Sequence, residues 1–76
     1  MSDAREFHMH EIKKARERGE DIVNAAEKEH RDNTPEEMAE LKSLISRGKE
    51  HQSEVQRLDE VEAKRAQLQA LGVATE

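Results

Sequence analysis

The sequence predicts an all-α protein, a two-helix antiparallel hairpin or coiled coil that self-associates. Three observations carry this. Apolar residues recur at helical spacing in both halves. The sole proline lies near the midpoint, inside a helix-start signature. The composition is also poor in core-forming residues: of 76 residues 33% are hydrophobic, 41% are charged and Phe7 is the only aromatic. That apolar share suits an extended hairpin, a chain that buries its stripes against copies of itself, or partial disorder.

The first helix is expected over 2–30. Ser2 or Asp3 supplies the cap, and Asp3 and Glu6 place negative charge in the first turn. Ala4, Phe7, Ile12, Ala15, Ile22, Val23 and Ala26 recur with gaps near three and four, which draws one helical face. Gly19 lies on the same stripe, where it lowers helix propensity by about 1 kcal/mol against alanine or lets a neighbouring helix approach closely. The opposite face carries charges at helical spacing, with Lys13–Glu17 and Lys28–Asp32 as expected pairs.

The connector is 31–34. Thr34 reads as a helix N-cap, Pro35 as the first helical residue and Glu37 as the third. This is a capping box, in which the Thr34 hydroxyl accepts from one orphan backbone N–H and the Glu37 carboxylate from another. A connector this short favours an antiparallel hairpin, though an open angle with each helix packed on a neighbouring subunit satisfies the same pattern.

The second helix is expected over 35–71. Met38, Leu41, Leu44 and Ile45 make a firm apolar start, and Val55, Leu58, Val61, Leu68 and Leu71 make a second apolar section. Between them, 46–54 holds no strong hydrophobe and reads as a weak middle or a bend. The gaps of three from Val55 to Leu58 to Val61 read as a slip of register. Gly72 is the expected stop, and 72–76 reads as a tail or linker. Because the second helix is the longer, Leu68 and Leu71 are expected either to overhang the hairpin as an association surface or to pack near Ala4 and Phe7.

Net charge is −5, with 13 basic and 18 acidic residues interspersed. No positive stripe offers itself to nucleic acid. No apolar run approaches the roughly 20 residues that span a bilayer, and the mixed charges do not make an interfacial membrane helix. No signal-peptide pattern opens the chain. With no cysteine there is no disulfide or thiolate chemistry.

Candidate chemistry is sparse. His8 and His10 are two apart and do not share a helical face; the HExxH spacing of a helical metal pair is absent. His30 or His51, if partly buried, would make assembly pH-sensitive. Gly19, Gly48 and Gly72 are dispersed and form no phosphate loop. No nucleophile sits beside a histidine, and two helices do not readily enclose a cleft that would split the pKa values of two carboxylates. The expectation is a protein that is not an enzyme and takes no cofactor or metal.

The run Ile22-Val23-Asn24-Ala25-Ala26-Glu27-Lys28-Glu29-His30-Arg31-Asp32-Asn33-Thr34-Pro35-Glu36-Glu37-Met38-Ala39-Glu40-Leu41 has a further reading. An amphipathic helix reaches Arg-Asp, passes a capping Thr with Glu-Glu behind it, and resumes with Leu-rich positions. Leu44-Ile45, Val55 and Leu58 continue the pattern. Over roughly 12–71 the chain resembles the N-terminal delta, or scaffolding, domain of major capsid proteins of tailed bacteriophages. It departs at Asn33, where such domains often carry an apolar residue, and in its more polar second-helix middle. The resemblance implies a domain that precedes the capsid shell, lines the interior of the procapsid assembled in the host cytoplasm, guides subunit curvature, and is removed by a maturation protease. The implied partners are copies of itself, other capsid subunits and that protease, with no nucleic acid and no membrane. The alternative is a free-standing adaptor or regulatory coiled coil that binds one specific protein.

Within this reading Phe7, Ile12, Ile22, Val23, Met38, Leu41, Leu44 and Ile45 build the hairpin core. Val55, Leu58, Val61, Leu68 and Leu71 form the association stripe, and Thr34, Pro35 and Glu37 form the cap.

Overall fold

A computed structural model describes residues 3–74. Two helices, α1 (Asp3–Lys28) and α2 (Pro35–Ala74), pack against each other as a hairpin. Arg18 meets Glu40 near the connector, and Arg5 meets Asp59 far from it. The helices are therefore antiparallel. The molecule is a rod of 67 × 17 × 16 Å. At about 1.5 Å per residue, the 40 residues of α2 account for nearly its whole length.

α1 ends two residues earlier than expected, and its ending makes the turn. The His30 N–H donates to the Glu27 carbonyl at 3.1 Å, and the Arg31 N–H reaches back to the Ala26 carbonyl at 3.0 Å. These are the two bonds of a Schellman motif, which needs a left-handed residue between them. His30 takes that place with φ 54°. A non-glycine side chain there costs about 1 kcal/mol, and the two recovered carbonyls offset it. Because the chain leaves the helix at this point, Asp32 is not one turn beyond Lys28, and the expected Lys28–Asp32 pair does not form. Lys13–Glu17 is also absent, and α1 instead pairs Lys14 with Glu11 and Arg16 with Glu20. A lysine placed before its glutamate is the weaker helical orientation.

α2 begins as predicted. The Glu37 N–H donates to Thr34 Oγ1 at 3.1 Å, and the Thr34 N–H donates to Glu37 Oε1 at 2.8 Å. The Met38 N–H closes the first helical turn on the Thr34 carbonyl at 2.9 Å. The helix then runs unbroken through 46–54, so the expected bend is absent. It also passes through Gly72 to Ala74. No described glycine has positive φ, and a glycine in helical φ/ψ weakens a helix without ending it. The proposed cap Ser2 and the tail residues Thr75 and Glu76 lie outside the described residues.

The seam between the helices is a heptad pattern. On α1 it follows His8, Ile12, Ala15, Gly19, Ile22 and Ala26; on α2 it follows Leu41, Leu44, Gly48, His51, Val55 and Leu58. All of these are buried or half-buried. The gaps alternate three and four, the spacing that keeps one stripe facing a partner helix. There is thus no slip at Val55–Leu58. The apparent slip arises because Val61, 49% exposed, lies beside the seam and not on it. Among the described residues Ala15, Ile22, Ala26 and Leu44 are buried, and Leu41 packs against Ala15, Ile22 and Leu44.

Three expected core residues are not in the core. Phe7, Met38 and Ile45 are 55%, 55% and 58% exposed. Each is apolar but lies beside the seam, where a second helix on one side does not reach it. Ile12 and Val23 are half-buried. Gly19 lies against Leu41, but a Cβ built there would sit 3.7 Å from Leu41 Cδ2, an ordinary contact, so the approach does not require glycine.

Candidate interaction surface

Three features along the rod bear on function: the closed end, the open apolar groove, and the overhanging end of α2.

At the closed end Arg31 ties the two helices together. Its guanidinium makes a two-pronged contact with the Glu37 carboxylate at 2.9 and 3.1 Å. It also donates to Glu29 at 2.6 Å and to the Asp32 carbonyl at 3.1 Å. One side chain therefore bridges the turn that follows α1 and the cap of α2. The same Glu37 carboxylate serves the capping box. Arg31, and then the Thr34 backbone N–H, hold its pKa at about 2 against an ordinary 4.5. Such a group stabilises the fold fully above its unfolded value, and that contribution is lost as pH falls through the folded value. Thermal stability is therefore expected to fall from about pH 4.5 toward pH 2, and the gap between the native chain and Glu37→Gln should close across that window. Melting curves read by circular dichroism at several pH values check this; parallel pH profiles for the two proteins would contradict it.

Asn33 stands just before the cap. Its Oδ1 is buried and meets no hydrogen-bond donor among the described residues. Further along, Arg18 clasps Glu40 with two bonds, 2.8 and 3.2 Å, and Arg5 meets Asp59 at 2.8 Å. These pairs cross between the helices at exposed positions, where each contributes little energy but disfavours a shifted register.

The groove runs along one face of the seam, with a volume of about 560 Å³. Ile12, Gly19 and Val23 line it from α1, and Leu41, Ile45 and Gly48 from α2. Arg16, Glu20 and Lys49 stand at its edge with both signs of charge. A Cβ added at Gly48 would meet nothing within 4 Å. Gly48 therefore has no packing reason within the hairpin, and it widens the groove.

The association stripe divides. Val55 and Leu58 are half-buried in the hairpin seam, so they are hairpin residues rather than free surface. Val61, Leu68 and Leu71 are 49%, 68% and 63% exposed. They lie beyond Asp59, the residue that Arg5 reaches, on roughly four turns of α2 at 3.6 residues per turn. Leu68 and Leu71 do not pack on Ala4 and Phe7; the overhang exists.

At the open end His8 and His51 meet in the seam, with Phe7 beside them. The helical pattern draws Phe7 into the stripe, whereas its neighbour His8 holds the seam position. The signal in the sequence is the heptad count back from Ile22 through Ala15, which lands on His8. Among the described residues there is no group of three or more His, Asp or Glu that would hold a metal, and no described helix is long and apolar enough to cross a membrane.

Compared with known protein families, curated proteins and solved structures, the chain finds no match in any of the three.

Proposed function

We propose that this chain is an assembly module, a helical hairpin that associates with copies of itself through its open apolar groove and overhang. One observation carries the reading. The chain exposes 6300 Å² of accessible surface, while a compact folded protein of its 8.7 kDa mass would expose roughly 4700 Å². Part of the excess is apolar and ordered along one rod: Phe7, Met38, Ile45, Val61, Leu68 and Leu71. Such surface is suited to burial against another helical rod. The mixed charges at its margins add contacts that salt weakens.

In its finer form the module is the scaffolding domain of a phage capsid precursor, acting in the procapsid interior with other capsid subunits and a maturation protease as partners. This rests on the run 22–41 and its resemblance to delta domains. The physics suits the role, because many weak contacts acting together give strong assembly without any single tight one. The reading is of a binding module rather than an enzyme.

Sedimentation of the chain over a range of concentration and salt tests this. The expected result is graded, salt-sensitive association that is lost in the double variant Leu68→Glu, Leu71→Glu, with helicity kept. A chain that stays monomeric throughout, or forms one tight salt-indifferent dimer, favours the adaptor reading and overturns the scaffold.

A further inference from the structure

The open end of the hairpin holds the two histidines in an unusual relation. His8 Nδ1 and His51 Nδ1 are 2.7 Å apart, and the ring centroids are 5.0 Å apart. The centroid separation is the nitrogen separation plus about one ring radius at each end, so the two nitrogens point head-on at each other. A metal ion on that line would need nitrogens about 4 Å apart, twice a Zn–N bond. A proton fits. Imidazole nitrogens both accept and donate, but an N–H···N bond requires one nitrogen protonated and the other bare.

We propose that the His8–His51 pair is a proton-counting latch that holds the open end of the hairpin closed and releases it when both imidazoles become charged. In the neutral pair one ring donates from Nδ1 and keeps Nε2 bare, while the other accepts at Nδ1 and carries its proton on Nε2. A first added proton goes to the bare Nε2 of the donor ring. The Nδ1–H···Nδ1 bond survives and becomes charge-assisted. A second proton has only the accepting Nδ1 to go to. Two N–H groups then face each other between two cations, and the bond is lost. The two steps belong to the pair rather than to either ring.

The surroundings fit this role. Both rings are half-buried at seam positions, where a polar residue sets which residues meet across a coiled coil. Phe7 packs edge-on against both, at 5.2 and 5.9 Å between ring centroids. The charged groups facing the pair are Glu11, with Lys14 bound to it, on α1 and Glu54, with Arg57 bound to it, on α2. His10 is close enough to act on Glu11. The bound Lys14 and Arg57 lower the pKa of Glu11 and Glu54. Both carboxylates thus stay charged and can accompany the first proton, but neither lies on the Nδ1–Nδ1 line, so neither restores the bond after the second. The latch lies in the seam between the Arg31–Glu37 clasp and the Arg5–Asp59 pair. Its release is set by protons on two imidazoles, whereas the clasp depends on the Glu37 carboxylate. Acid thus loosens the seam around His8 and His51 while the connector stays closed.

Amide hydrogen exchange on the full chain, at one dilute concentration, tests this. The readout is the protection factor for 51–58 at about pH 7.5 and about pH 5. Roughly a ten-fold loss of protection is expected in the native chain and in His10→Ala, with protection at the connector unchanged. In His51→Leu and His8→Leu, where a helix-forming apolar residue fills the seam, protection should not change with pH. An equal loss in the leucine variants, or no loss in the native chain, overturns the proposal. Nitrogen-15 NMR at neutral pH should show one protonated and one bare Nδ1 across the pair. Two bare Nδ1 atoms, or a zinc-induced gain in protection that requires both histidines, would overturn it as well.

Discussion

Leu44→Ala is expected to destabilise the hairpin by about 2 kcal/mol and to abolish a well-defined thermal transition. Leu44 is 6% exposed and is the one buried residue of α2 among the described residues, packed with Ala15 and Ile22 of α1. Its removal leaves α1 facing a gap, because the neighbouring seam positions hold Gly48 and only part of Leu41. The value sits at the low end of the range for leucine truncation, since the groove beside it lets the surroundings relax. It is still a large share of the few kcal/mol that such a small core can supply. Ile45 is the control. It is adjacent in sequence but 58% exposed, and Ile45→Ala should cost under about 0.5 kcal/mol in the dilute chain. Urea unfolding followed by circular dichroism measures both. Equal costs at low concentration would refute the assigned seam. A cost for Ile45→Ala that grows with concentration is expected if copies cover the groove.

Asn33→Leu is expected to stabilise the protein by about 1–2 kcal/mol, through two effects acting in the same direction. The substitution removes the buried Oδ1 that meets no donor among the described residues. It also puts an apolar residue just before the cap, five residues ahead of Met38 at the fourth helical position, where the two side chains would form a hydrophobic staple. Met38 is 55% exposed and has surface to give. A double-mutant cycle with Met38→Ala separates the effects. The staple part of the gain should vanish in that background and the desolvation part should remain. An Asn33→Leu chain no more stable than the native one would show that the polar oxygen carries no penalty.

These two expectations mark where the sequence was readable and where it was not. The capping box at Thr34 and Glu37 was legible because its geometry is local, with both bonds closing within one turn. The missing staple at Asn33 was legible for the same reason. The overhang of α2 followed from the unequal helix lengths. Phe7, Met38 and Ile45 were misplaced because hydrophobicity shows that a residue favours burial and says nothing of whether a neighbour comes to cover it. Arg31 drew attention only as part of a motif; its bridge to Glu29 and Glu37 depends on the chain turning back at His30.

By itself the sequence determined two helices, the start of the second and the absence of a large core, because capping, helical periodicity and composition act over a few residues; the antiparallel return was one of two arrangements it allowed. The tertiary structure decided which stripe became the seam. It brought His8 and His51 into seam positions that no hydrophobic pattern marks, and left Ile45, Leu68 and Leu71 outside. The physical reason is that a seam is a property of two surfaces. A histidine there is stabilised only by the partner that completes its hydrogen bond, and a leucine outside it is exposed only because the facing helix has ended.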